Sequence, residues 1–292
     1  MSVPMQVTNG TVHLHVAEDG DPSAPPILLL HGITSFGRTW DWIVPTLAER
    51  FRVLRLDFRG HGQSDRAPGE YSVAGYVSDA VAAMEQAAGR PCVVMGHSLG
   101  GATTAALAQR HSALLTGAIM EDPPLGPTKP SEVMSLEGNS LLDGFRLMRQ
   151  SIPALQESKI PLETLIGVLS ASPDTTGTST FGEKLHADGI STMAGSLLEA
   201  DASVLDPVLS GTIEAFLDPA LPFGVPSLIL AADPSKPDAV ANPAAARHYA
   251  EKSPDVDVVI VEGAGHLIHD EVGSREFLRT AVLAFLDRVA PS

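Results

Sequence analysis

Short apolar runs alternate with helix-like spacing through the first part of the chain. The apolar runs predict strands over 11–17, 27–30, 52–58, 92–95 and 117–120. Helical spacing follows over 40–50, 72–88 and 99–111, and the second of these ends at Gly89 with Pro91 beyond it. Alternation of this kind predicts a parallel sheet with helices on both of its faces.

The same alternation returns near the C-terminus. Strands are predicted over 227–230 and 257–261, with a helix at about 243–251 between them and a final helix at about 274–289. The two halves of the pattern therefore predict one α/β core, built from residues 1–122 and 221–292.

The segment between these halves, 123–220, contains helical patterns and no convincing strand. Helices are predicted over 131–150, 153–169 and, in two pieces, 185–216, while 171–180 has the composition of a mobile loop. Ligands of open α/β sheets bind at the carboxyl ends of the strands, and an insertion between two strands can cover that edge. We therefore predict that 123–220 is a helical cap, or lid, over the site.

Charge and composition narrow the classes of function. The formal net charge is −16 and the isoelectric point about 4.9, which disfavours nucleic acid and anionic membrane surfaces as partners. Cys92 is the single cysteine, so an intrachain disulfide is excluded. Residues 1–10 do not resemble a signal peptide, and no apolar run approaches the length of about 20 residues that spans a bilayer. These features predict a cytoplasmic protein.

The strongest chemical signal is Gly96-His97-Ser98-Leu99-Gly100, which lies between a predicted buried strand and a helix. This is the context that a G-x-S-x-G nucleophile turn requires, because the strand must turn at once into the helix and leave the serine hydroxyl exposed. We predict that Ser98 is the nucleophile. The Leu99 N–H, at the start of the helix, is predicted to bind a developing oxyanion.

Two further loops supply the partners that a serine nucleophile needs. His31-Gly32-Ile33 follows a predicted strand, and Ile33 is the predicted second oxyanion donor. His266, in Gly263-Ala264-Gly265-His266, follows the strand at 257–261 and is the predicted base. A metal site at His266 and His269 is not expected, since no third ligand is evident nearby.

The acid that orients the histidine has three candidates. Asp233 follows the strand at 227–230 and gives the chain order Ser, Asp, His, so we favour it. Asp238 lies in the same loop, and Asp122 ends the strand that precedes the cap. Both remain alternatives.

Four motifs in order resemble the α/β-hydrolase family: HG at 31–32, DFRGHGQSD at 57–65, GHSLGG at 96–101 and GAGHLIHDE at 263–271. The resemblance covers roughly 12–121 and 221 onward. It implies an eight-stranded, mostly parallel sheet with a helical cap between the sixth and seventh strands. The chain has Ala-Ala-Asp-Pro where relatives often carry Gly-x-x-Asp, which puts the acid in doubt and leaves the fold unaffected.

A serine at this turn also restricts the chemistry that the family implies. Haloalkane dehalogenases and epoxide hydrolases of this type use an aspartate there, so esterases, lactonases, carbon–carbon bond hydrolases and cofactor-free perhydrolases remain. We predict hydrolysis of a hydrophobic carboxylic ester or lactone, without metal or organic cofactor. A non-catalytic ligand receptor is the alternative outside enzymes. An apolar cap surface is compatible with either a substrate pocket or a homodimer.

Overall fold

A computed structural model describes residues 2–126, 140–174, 176–211 and 217–290. It contains one eight-stranded sheet with the order β1-β2-β4-β3-β5-β6-β7-β8. The first three strands of this order pair antiparallel and the others parallel. The strands are β1 Val3–Asn9, β2 Val12–Asp19, β3 Pro26–Leu30, β4 Arg52–Leu56, β5 Cys92–His97, β6 Leu115–Glu121, β7 Ser227–Ala232 and β8 Val256–Val261.

Helices pack on both faces of the sheet and fill the described part of the segment between β6 and β7. They are α1 Val44–Leu47, α2 Val73–Ala83, α3 Leu99–Arg110, α4 Ser140–Ser158, α5 Leu162–Ala171, α6 Phe181–Lys184, α7 Ala187–Glu199, α8 Asp206–Leu209, α9 Pro243–Lys252 and α10 Arg275–Val289. Short 3-10 helices lie at Gly37–Trp40, Ser112–Leu114 and Ala202–Leu205, and a π-helical turn, Met84–Ala88, extends α2.

The predicted mostly parallel eight-stranded sheet flanked by helices is confirmed. Its central strands are continuous apolar runs because both faces of the sheet are covered. All five residues of β3 and all six of β5 and β7 are buried. Two apolar clusters result, one on each side of the sheet: Leu28 and Val94 belong to one, and Leu29 and Val93 to the other.

Some predicted elements differ from the structure. β1 was not predicted, because Val3–Asn9 is an edge strand with one fully buried side chain and no continuous apolar run. The helix predicted over 40–50 is a 3-10 turn followed by the four-residue α1, because Pro45 starts a new helix. The break predicted before Pro153 is absent: α4 continues through it, and Ile152 is buried against Leu197 and Ala202. Residues 131–139 and 212–216 of two predicted helices lie outside the described residues.

The interior of the segment between β6 and β7 is attached to the loop that follows β8. Leu185 forms a β-bridge with Glu271, and the main-chain N–H groups of His186 and Val272 donate to Asp270 O and Lys184 O. Arg275, at the start of α10, pairs with Asp188 of α7 at 2.9 Å. This region of the segment is therefore held by main-chain bonds as well as ion pairs.

Candidate active site

Ser98 lies at the turn between β5 and α3 with a strained backbone, at φ 52° and ψ −112°. The glycines of the motif allow the close packing of this turn. A Cβ atom on Gly96 would lie 2.2 Å from Gly100 O, and one on Gly100 would lie 2.4 Å from Leu30 O. Strand, turn and helix thus occupy the arrangement that the motif predicts.

His266 and Asp122 complete a chain of hydrogen bonds from Ser98. His266 Nε2 is 3.0 Å from Ser98 Oγ, and His266 Nδ1 is 2.7 Å from Asp122 Oδ2. Because an ionised carboxylate only accepts hydrogen bonds, the ring proton of His266 is on Nδ1, which donates a hydrogen bond to Asp122. Nε2 is therefore free to accept a hydrogen bond from the Ser98 hydroxyl. The Asp122 side chain is fully buried, so water does not compete for this bond.

The prediction that Asp233 contacts His266 is wrong. Asp233 lies at the mouth of the loop after β7, where its carboxylate accepts from the N–H groups of Gly263 and Ser235. Hydrogen bonds from Ser235 and Gly263 lower the pKa of Asp233 to about 2. Asp238, the second candidate, is buried 3.5 Å from Lys184 Nζ, where its carboxylate faces Gly265. The alternative Asp122 is correct in position because β6 lies beside β5 in the sheet.

Main-chain groups from the last residue of β7 and from the loop after it hold the Asp122 carboxylate. It accepts from the N–H groups of Ala232 and Ala241 at 3.0 Å and from that of Val240 at 2.9 Å. With the His266 bond, both oxygens are engaged. The loop that was predicted to supply the acid therefore supplies its backbone donors instead.

The two predicted oxyanion donors lie on either side of the serine turn. Leu99 is the first residue of α3, and its N–H has no hydrogen-bond acceptor within the part of the chain that the structure describes. The same holds for the Ile33 N–H across the described ranges. The next residue, Thr34, has φ 61°, and its N–H donates to His61 Nε2 at 3.2 Å. Burial and the neighbouring His31 lower the pKa of His61 to about 3, so its Nε2 is an acceptor.

A second polar cluster lies beside the hydrogen-bonded chain and was not predicted from the sequence. It consists of His97, Glu121 and His269, all buried, whose potential ligand atoms lie within 4.8 Å of one another. Glu121 Oε1 is 2.8 Å from His269 Nδ1, and His97 Nε2 is 2.9 Å from His266 O. Because these atoms already have hydrogen-bond partners, either within the cluster or at His266 O, we interpret it as a hydrogen-bonded group and not as a metal centre. The sequence feature that could have indicated this cluster is the pair of adjacent carboxylates, Glu121 and Asp122, at the end of a buried strand.

Comparison with known proteins identifies the fold family. The family model for the alpha/beta hydrolase fold matches residues 25–271 of this chain. The chain belongs to the alpha/beta hydrolase fold family. A relative from Mesorhizobium japonicum, 2-(acetamidomethylene)succinate hydrolase, is 26% identical over 289 residues, which cover 98% of this chain and 95% of the relative.

Solved structures of alpha/beta hydrolases agree with the fold. The crystal structure of E-2-(acetamidomethylene)succinate hydrolase has a TM-score of 0.71 at 23% identity and covers 98% of this chain and 100% of that one. The enol-lactonase from Burkholderia xenovorans LB400 has a TM-score of 0.62 at 23% identity and covers 97% of this chain and 99% of that one. Within the described residues, no helix combines the length and apolar character of a membrane span.

Proposed function

We propose that this alpha/beta hydrolase is a serine hydrolase that cleaves a carboxylic ester or lactone of an uncharged, hydrophobic small molecule. The observation that carries the proposal is the continuous hydrogen-bonded chain from Asp122 through His266 to Ser98. A serine hydroxyl is a weak nucleophile until a base accepts its proton, and this chain provides the base and the group that orients it.

The reaction follows from the positions of these three side chains. Ser98 Oγ attacks the substrate carbonyl while His266 Nε2 takes its proton, and Asp122 stabilises the imidazolium that forms. His266 then returns the proton to the leaving alcohol, which releases it and leaves an acyl group on Ser98. Water, deprotonated by His266, attacks this acyl group, and the acid leaves with Ser98 restored.

The developing oxyanion is stabilised by the N–H groups of Leu99 and Ile33 in this proposal. Neither has another acceptor in the described ranges, so neither would lose a bond by turning to the substrate. The hydrogen bond from the Thr34 N–H to His61 stabilises the bend of the loop after β3, which carries Ile33.

The charges around the site favour an uncharged substrate. The segment 123–220 contains 13 acidic and 5 basic residues. Its two arginines, both described, pair with carboxylates: Arg146 with Asp143 and Arg149 with Asp206. Apolar side chains of α4, Leu142 and Phe145, are buried in the same cluster as Leu99. We therefore propose that this segment acts as an apolar lid.

A second candidate is hydrolysis of an amide in an unsaturated acid. The observation that favours it is the similarity to 2-(acetamidomethylene)succinate hydrolase over 98% of the chain. The same nucleophile and base would serve. The substrate carboxylates, however, would need cationic partners, and both described arginines of the segment 123–220 are already paired with carboxylates of the protein.

The first test is hydrolysis of p-nitrophenyl esters of increasing acyl length by the wild type and by Ser98→Ala. We expect release that peaks at one acyl length and falls by at least about 1000-fold in the variant, since the nucleophile is lost. Circular dichroism confirms that the variant is folded. Full activity of Ser98→Ala would disprove the serine mechanism. A folded wild type that cleaves only 2-(acetamidomethylene)succinate would favour the second candidate.

A further inference from the structure

Each residue of the cluster His97, Glu121 and His269 lies close in sequence to one of the three hydrogen-bonded residues Ser98, Asp122 and His266. His97 precedes Ser98, Glu121 precedes Asp122, and His269 is three residues after His266. The Ser98 N–H donates to Glu121 O at 2.9 Å, which ties the ends of β5 and β6 together. The cluster therefore lies where the three loops meet.

Two side chains of the cluster anchor the loop that carries His266. His97 Nε2 donates to His266 O at 2.9 Å, which fixes the main chain of the base itself. Glu121 Oε1 accepts from both the N–H and the Nδ1–H of His269, at 2.9 and 2.8 Å. The loop is thus held at His266 and His269 by side chains next to the nucleophile and next to the acid.

The charge states of the two histidines suit these bonds. Burial lowers the pKa of His269, but the Glu121 and Asp270 carboxylates outweigh it and raise that pKa to about 9. His269 is therefore a cation, and its Nε2 donates to Thr39 Oγ1 at 3.0 Å. Burial, together with the neighbouring histidines 266 and 269, holds the pKa of His97 well below its usual value. His97 is neutral, with its proton on Nε2.

The buried ion pair of Glu121 and His269 contributes little to the stability of the fold, because both charges lose their contact with water. Glu121 is fully buried, and its Oε2 has no partner among the described residues. Buried ion pairs that are incompletely hydrogen-bonded often contribute no more stability than apolar side chains of the same volume. A role in geometry would account for a polar cluster in this place.

We propose that Glu121, through its bond with His269, is a positioning residue for His266. The pair sets the position of the His266 loop relative to Asp122, and His97 sets its position relative to Ser98. This inference rests on the proposed function only for its kinetic test, because the position of His266 can be observed without substrate.

The kinetic test compares two changes at Glu121. Glu121→Gln keeps an oxygen that accepts from His269, whereas Glu121→Met with His269→Leu replaces the pair by apolar groups of similar size. In the double variant we expect kcat for the best ester to fall about 100-fold, with KM within about threefold, because a misplacement of about 1 Å has that effect. Glu121→Gln should keep kcat within about threefold of the wild type, as the bond persists.

Thermal unfolding separates positioning from support of the fold. The double variant leaves the buried main-chain N–H at position 269 without its acceptor, so we expect its Tm to fall by no more than a few degrees while kcat falls about 100-fold. A folded double variant with the wild-type kcat would overturn the inference. Should the double variant not fold, His97→Leu against His97→Gln supplies the same comparison at the other anchor of the loop.

A proton NMR measurement on the free protein makes the inference independent of hydrolysis. The proton between His266 Nδ1 and Asp122 should give a downfield resonance, identified by its loss in His266→Gln. We expect this resonance in the wild type and in Glu121→Gln, and its broadening or loss in the double variant. An unchanged resonance in the double variant would refute the positioning role even where ester hydrolysis is confirmed. The expected change, without any turnover by the wild type, would instead refute only the proposed function.

Discussion

At the scale of single residues, Asp122 combines an uncommon backbone conformation with a fully hydrogen-bonded carboxylate. It has φ 40°, a region that side chains other than glycine rarely occupy. Its carboxylate bonds three main-chain N–H groups and His266 at the same time. These bonds over-determine the position of the carboxylate, which is how a strained backbone persists in a folded protein.

Asp122→Asn should lower kcat by about 10³- to 10⁴-fold, because an amide can donate to Nδ1 and then favours the wrong imidazole tautomer. Ester hydrolysis under saturating substrate measures the loss. Asp233→Asn is the matched control, since Asp233 bonds Ser235 and the Gly263 N–H and not His266, and we expect its kcat within about threefold of the wild type. The reverse order of effects would restore Asp233 as the acid.

At the scale of elements, the turn from β5 into α3 depends on how closely α3 approaches β3. Gly100 N–H donates to His31 O at 3.1 Å, so the helix and the loop after β3 are joined by a main-chain bond. A side chain at Gly100 has no room for this contact. The packing of two elements and the position of Leu99 N–H are therefore set by one residue.

Gly100→Ala should destabilise the protein by at least about 2 kcal/mol, because its Cβ would meet the Leu30 carbonyl and push α3 away. Gly167→Ala provides the contrast, since Gly167 lies in α5 with open space around it, and we expect a gain of about 0.5 kcal/mol there from helix propensity. Urea unfolding measures both. Equal stability of the two variants would contradict the packing described for the serine turn.

The sequence predicted the central elements well and the acid poorly, for one physical reason. Runs such as 27–30 and 92–95 are apolar because each strand is covered on both faces, and this property is local. The contact of Asp122 with His266 depends on which strand lies beside β5 in the sheet. The order of strands cannot be predicted from a short stretch of sequence. The edge strand β1 and the passage of α4 through Pro153 likewise depend on packing with distant residues.

At the scale of the whole molecule, the negative charge extends over both the core and the segment 123–220. Ion pairs also connect the two, with Lys184 lying 3.2 Å from Glu271 and Arg275 pairing with Asp188. The net charge of −16 follows from 35 acidic against 19 basic residues. A substrate that approaches this protein meets a negative field.

Esters that differ only in charge should therefore be distinguished. We expect kcat/KM for a neutral ester to exceed that for a dicarboxylate ester of equal length at low salt. The dicarboxylate value should rise as ionic strength increases to about 0.1 M and above, where the screening length is about 10 Å. Initial rates of both esters across a salt series measure this. A higher kcat/KM for the dicarboxylate, falling with salt, would indicate a cationic site and favour the second candidate.

The three N–H groups that hold Asp122 have a consequence for how this protein tolerates change. Val240 and Ala241 contribute backbone and not side chains to the acid, so many replacements at these positions leave the donors in place. Proline is the exception, because it has no N–H. In saturation mutagenesis of the loop after β7, we therefore expect the half-buried position 240 to accept most residues except proline, and the buried position 241 to accept small residues. Comparison of side chains among relatives would overlook these positions, although the geometry of the acid depends on them.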